Sequence, residues 1–394
     1  MKHLSTRSSA TFKISALACT ALLMVACQST PTSSSAVAPA TASQSLAAAP
    51  VLRQDSLDGI YEITTTRQGD SVFVASAGDF SPKSAGFIYR LDARTLEVVQ
   101  AIQIPRRAFA LGLNNATNTL YAGNTLDGSL SVVDANSGMV KGLIQLGEEK
   151  KNDKGEPYYD HTRKVVVDST RNRVFVTSPG QPGKVWIVDG TTNTVAHTIT
   201  SEGIWTAGAA FDEAANVLYV SQGGKDEILA IDPEAGQVLR RFSTGDSVSN
   251  QADDSKHFFV NLAIDTKGQR LFGADGNTNQ IYVADIASGQ FTQQIKVPGL
   301  GLLDVAYNPA RNEIYASTRG VSREAPNGTG SVSVIDGTSF AIKRTIDLPV
   351  HPNTLSVSTN GKTLYVTVKN PHGDKHTAWR KDSKESVVRI DLQP

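Results

Sequence analysis

The sequence is poor in cysteine, with two in 394 residues. That excludes a disulfide-stapled scaffold and a cysteine-rich zinc site. It also lacks net charge, since 38 Lys and Arg balance 38 Asp and Glu. A protein that holds nucleic acid by global basicity is therefore not expected. Glycine (32) and proline (16) are too ordinary for a collagenous or low-complexity chain. The apolar run Ile14–Ala26 is shorter than the roughly 20 residues that span a bilayer as a helix. After residue 50 no helical periodicity of useful length occurs. The G-x-S-x-G, P-loop and H-E-x-x-H signatures are missing as well. No cofactor or catalytic residue is assigned, and a non-enzymatic role is favoured.

What is present begins with an address. Lys2, Arg7 and Lys13 precede the run Ile14–Ala26, which gives a signal peptide its charged and apolar regions. The run ends Leu22-Leu23-Met24-Val25-Ala26-Cys27. A small residue before cysteine resembles the lipobox of bacterial lipoproteins, here with Met24 three places before the cysteine. Residues 1–26 are expected to be removed and Cys27 lipidated. Gln28 in the following position implies the outer membrane. The mature chain would then have no free thiol, and 35 basic against 38 acidic residues. Gln28–Pro50 is uncharged and rich in Ser, Thr, Ala and Pro. It is expected to be a disordered tether reaching about 25–30 Å. Domain boundaries follow at 1–26, 27–50 and 51–394.

A triplet with a central aromatic then recurs seven times. The aromatics are Phe73, Tyr121, Phe175, Tyr219, Phe272, Tyr315 and Tyr365, spaced 43 to 54 residues apart. Each is followed by an alternating segment ending in Asp, at Asp92, Asp134, Asp189, Asp232, Asp285, Asp336 and Asp391. With a short β-like run before each triplet and another after each Asp, every repeat reads as four strands, A to D. Repeats of this length with four strands specify an all-β, seven-bladed β-propeller. The chain stops too soon for a seventh strand D, so the N-terminal segment at Val51-Leu52-Arg53 is expected to close the last blade. Seven equivalent Asp residues point to a turn device, and seven equivalent aromatics to packing between blades.

The residues that the repeat does not require carry the functional information. Long B–C loops occur at Ser76–Gly86, Thr318–Gly330 and Lys369–Ser386, and long D–A connections at Gly147–His161 and Thr244–His257. Because strands in a blade alternate direction, all five fall on one face. Residues at the start of each strand A should ring the mouth of the central channel there. The candidate ligand-binding residues are Arg106, Arg107, His161, Arg163, Trp205, His257, Phe259, Asn261, Asp304, Arg319, His351, Asn353, Lys369 and Trp379. Arg323, His372, His376 and Arg380 lie in the loops beside them. Arginines interleaved with aromatics suit an extended anionic ligand. Asn261, Asp304 and Asn353 with Glu62 offer oxygen ligands for a divalent ion, although water is the commoner occupant of such positions. Blades 6, 7, 1 and 2 should be basic on this face, and blades 4 and 5 acidic.

Leu364-Tyr365-Val366-Thr367-Val368, Ile88-Tyr89-Arg90-Leu91-Asp92, His257-Phe258-Phe259-Val260-Asn261, Asn308-Pro309-Ala310-Arg311-Asn312-Glu313 and His351-Pro352-Asn353-Thr354-Leu355 resemble the YncE-like, YVTN-repeat family of bacterial periplasmic propellers. The resemblance covers about residues 57–392. It implies a periplasm-facing seven-bladed propeller, with single-stranded DNA as the ligand proposed for the family. A partner protein of the envelope is the other expected ligand, and the chain is expected to be a monomer. The rival is a metal-dependent hydrolase of lactonase-like propeller type.

Overall fold

The computed structural model describes residues 50–78, 85–247, 254–322, 324–369, 375–377, 379 and 381–392. The signal segment, Cys27, the tether, Arg323, His372 and Arg380 lie outside them. The described residues form seven four-stranded antiparallel sheets and no α-helix. The second strands show why the sequence reads this way. Val72-Phe73-Val74 is almost wholly buried, as is every corresponding triplet. A middle strand is covered on both faces by neighbouring blades, so it reads as a continuous apolar run. The outermost strands alternate, as in Val98–Ile104, because they have one face in the core and one in solvent.

Seven apolar clusters tie the blades in a circle. One joins Phe73 and Ile88 of blade 1 to Leu111 and Leu120 of blade 2. The series ends where Tyr365 and Val387 of blade 7 pack on Ile60 and Val74 of blade 1. Each innermost strand abuts the next around the ring, and the last abuts the first. Their approach is close. A Cβ on Gly208 would lie 2.4 Å from the Cα of Asn261 in the next blade, so this position accepts no side chain.

The expected closure is observed. Val51–Leu57 pairs antiparallel with Glu385–Asp391, from Val51 opposite Ile390 to Leu57 opposite Glu385. It is longer than the three residues expected from sequence. Tyr365 Oη also donates to Ala93 O at 2.9 Å, across the junction of blades 7 and 1. The repeat Asp residues act as turn anchors in six blades. Asp336 Oδ1, for example, accepts the Thr338 and Ser339 amides at 3.0 and 2.8 Å. These bonds hold its carboxyl below the ordinary range. The seventh departs: Asp391 pairs with Arg389 at 2.6 Å. One feature escaped the sequence reading. In blades 1 to 6 strands C and D slip register by one residue just before the repeat Asp, as at Arg90/Leu91 and Val334/Ile335. Such a bulge adds twist at the blade rim.

All strand pairs alternate in direction, so the B–C and D–A connections do share one face. The Gly147–His161 connection is not wholly irregular. Lys150–Lys151 pairs with Pro157–Tyr158 as a small hairpin. Its base is pinned by Asp160, which is buried and takes Lys150 at 2.5 Å and Lys184 at 2.6 Å.

Removing residues 51–57 should lower the melting temperature and promote self-association, because Glu385–Asp391 then becomes an open edge. Calorimetry and size-exclusion chromatography over a concentration series measure this. A deletion variant with the original melting temperature would show that the N-terminal strand is not needed for closure.

Candidate functional site

The D–A connections deliver the first residues of each strand A to the channel mouth, so the site is made from positions scattered along the whole chain. Inside the mouth, Glu62 is buried. It accepts Lys164 Nζ at 3.1 Å, Arg163 Nη1 at 3.3 Å and the Leu111 amide at 3.4 Å. Asp304 accepts the Leu355 amide at 2.8 Å and the Val305 amide at 3.0 Å. Burial pushes its carboxyl up to about 6, against the pull of Lys164. Asn261 donates to Leu303 O at 2.8 Å, while its Oδ1 is buried with no partner among the described residues. Asn353 Nδ2 lies 3.4 Å from Thr354 Oγ1. Of the four oxygen-bearing residues considered for a divalent ion, Glu62 already holds two cations and Asp304 two amides, whereas Asn261 Oδ1 has no partner among the described residues. No group of three His, Cys, Asp or Glu suited to a metal occurs among the described residues.

Around the rim runs a continuous arc of cations and rings. Lys369 Nζ lies 3.6 Å from the ring centre of Tyr61 and 3.0 Å from Glu385. Tyr61 lies 4.2 Å from Phe109, and the Arg163 guanidinium is 5.2 Å from Phe109. Desolvation lowers Lys369, with Glu385 opposing, and raises Tyr61 well above the ordinary phenol range. Two main-chain hydrogen bonds of His351 fix this arc. His351 sits at φ +65°, donates its amide to Arg319 O at 2.8 Å and accepts the Lys369 amide at 3.0 Å. A left-handed non-glycine residue costs of order 1 kcal/mol, and here it links the backbones of Arg319 and Lys369.

The other candidates fall into three groups. Arg106, His161, Trp205 and Trp379 are exposed. Arg106 stands 3.9 Å from Asp127, and Trp205 packs at 5.9 Å from Phe258. Arg107, like Arg163 and Arg319, is half-buried. His257 and Phe259, in contrast, are buried. Phe259 stacks between His257 and Phe291, which makes it core. His257 holds Asp275 through Nδ1 and Asp246 through Nε2, both at 2.6 Å, and so ties the Thr244–His257 connection to blade 5. His376 is buried too; its Nε2 lies 3.1 Å from Gly328 O, joining the blade 7 loop to the blade 6 loop. The sequence reading missed Tyr61, Phe109 and Lys164 as mouth residues. Their signal was the period-two alternation within strand A, which marks channel-facing positions once the inner strand is known.

Comparison with known proteins then decides the family. The chain is 34% identical over 353 residues to YncE of Salmonella typhi, covering 90% of this chain and 94% of that protein. To YncE of Escherichia coli strain K12 it is 34% identical over 346 residues, covering 88% and 92%. This chain belongs to the YncE family. No family model matches it. The YncE relatives span both the propeller repeats and the long-loop face, so the resemblance read from the five short stretches extends along nearly the whole chain.

His257 supplies a pH test of how this face of a YncE-family propeller is held. Burial alone would lower the imidazole; Asp275 and Asp246 outweigh it and hold His257 above its ordinary value. A raised histidine stabilises the fold fully below its unfolded value of about 6.5, and the effect is lost as pH rises through the folded value. Burial would raise both carboxylates, but their hydrogen bonds, His257 included, hold them low. Their share is therefore lost in acid, as pH falls through their depressed folded values. His257→Gln should cost about 2 kcal/mol near pH 6. The difference from wild type should shrink toward pH 9 and again below about pH 4. Denaturant melts across this range measure it, and a pH-independent difference would refute the ion-pair account.

Proposed function

We propose that this YncE-family propeller is a lipid-anchored binding or scaffold protein that faces the periplasm from the outer membrane. Removal of residues 1–26 leaves Cys27 as the acylated end, and residues 27–50 are the tether. The long-loop face receives a partner protein of the envelope or an extended anionic ligand, for which single-stranded nucleic acid is the test case. The observation that carries this reading is the rim arc from Arg319 through His351, Lys369, Tyr61 and Phe109 to Arg163, placed on the face that holds every long loop. Rings interleaved with cations suit a ligand that offers flat groups and negative charge together. The exposed Arg106 and Trp379 and the half-buried Arg107 extend the same chemistry outward.

The rival is a metal-dependent, lactonase-like hydrolase. It needs channel carboxylates free to take a divalent ion, whereas Glu62 is bound by Lys164 and Arg163. Metal analysis of the purified protein separates the two, since a stoichiometric divalent ion would favour the hydrolase.

Two measurements test the proposal. Cys27→Ser should move the protein from the membrane pellet to the soluble periplasmic fraction. Replacing Arg106, Arg107 and Trp379 together by Ala should reduce partner capture, and weaken binding of a single-stranded oligonucleotide about tenfold or more. With the wild type, oligonucleotide affinity should fall linearly in log K against log salt. Salt-independent binding would reject the nucleic-acid version. Capture unchanged by the triple substitution would reject this face.

A further inference from the structure

Most cations at the channel mouth have an acid beside them. Glu62 answers Arg163 and Lys164, and Glu385 answers Lys369. Arg319 differs. Among the described residues it makes no ion pair, and its Nε is fully buried without a hydrogen-bond partner. Burial and the like charge of Arg163 both push its guanidinium below the ordinary arginine range. A buried N–H with no acceptor is costly to hold, and the like charge of Arg163 adds to that cost.

The main chain nonetheless holds Arg319 firmly. Its amide donates to Gly301 O at 3.0 Å, and its carbonyl accepts the His351 amide at 2.8 Å. Gly301, Gly320 and His351 all take left-handed conformations around it, at φ +73°, +77° and +65°. Arg163, from blade 3, is equally fixed. Its guanidinium lies 5.2 Å from the Phe109 ring centre, and its Nη1 donates to Glu62 at 3.3 Å. Planar guanidinium forks match the oxygens of a carboxylate or phosphate.

We propose that Arg163 and Arg319 form a receptor for one compact oxyanion, a carboxylate or a phosphate monoester, seated at the mouth of the central channel. This rests on the reading of the long-loop face as the binding face, and sharpens it. The ligand is gripped through a single charged head at the axis, with its remainder lying on the rings of Phe109 and Tyr61. The bound anion removes the repulsion between the two arginines, so the protein gains stability when it is filled and is destabilised when it is empty.

The test titrates the full-length protein with inorganic phosphate and, separately, with succinate, at constant ionic strength set by chloride. Calorimetry and thermal melts are both read. Saturable binding of either anion is expected, with a rise in melting temperature; which anion binds tells phosphate from carboxylate. Arg319→Gln should weaken binding at least tenfold, yet melt at or above the wild-type temperature in anion-free buffer. Arg319→Lys should keep part of the affinity, since the charge remains without the fork. A structural role for Arg319 predicts the reverse, a lower melting temperature with anion binding unchanged, and would overturn the proposal. So would the absence of saturable binding by the wild type. The outer-rim triple substitution reports separately. If it still abolishes partner capture while neither anion binds, the receptor fails and the binding face stands.

Discussion

The structure depends on closing a ring of sheets that cannot stand alone. A four-stranded blade has two apolar faces and one core layer to offer, so each face must be covered by a neighbour. The clusters that run from Phe73–Leu120 round to Tyr365–Ile60 supply this cover, and the circle has no free end. Closure is non-local, because Val51–Leu57 meets Glu385–Asp391 from the far end of the chain. The repeat aromatics, the turn-anchoring Asp residues and the rim bulges all serve the same end. They make each blade the right wedge, with the right twist, to fit seven in a turn.

A ring of this kind leaves two faces with different freedom. On one face A–B and C–D turns are short and held by Asp and Asn side chains, as at Asn114, whose Oδ1 accepts the Ala116 amide at 2.9 Å. On the other, the chain departs and returns with room to lengthen. The added segments are not loose ornaments where they are described. Asp160 pins the hairpin, His257 pins the blade 4 to 5 connection, and His376 joins the loops of blades 6 and 7. Each pin is a buried polar group with its partners supplied, which is how a long surface segment acquires a fixed shape. The channel mouth between them can then hold charges at positions that folding alone would not choose.

The site and the scaffold are coupled through those charges. Glu62 is buried with two cations on it, whereas burial pushes the Asp304 carboxyl up to about 6 even though two amides donate to it. Arg319 is placed by main-chain bonds rather than by an acid. The mouth thus carries charged groups whose burial is only partly offset by partners.

Sequence alone determined the blade count, the strand order within a blade, the closing role of the N-terminus, the turn role of six repeat Asp residues and the face that bears the insertions. These are legible because period-two alternation and turn chemistry act over short stretches, and repetition multiplies the signal. It also supplied Arg163 and His351 from their place at the start of the inner strands, and Arg319 and Lys369 from the long B–C loops. It could not say that His257 and Phe259 are buried, nor that Tyr61 and Phe109 join Lys369 to Arg163. Nor could it show that Arg319 makes no ion pair among the described residues. Those facts depend on which side chains from blades far apart in sequence meet at the axis, and on whether a neighbour buries them. Distance across the ring has no local trace in the chain, so only the tertiary structure decided them.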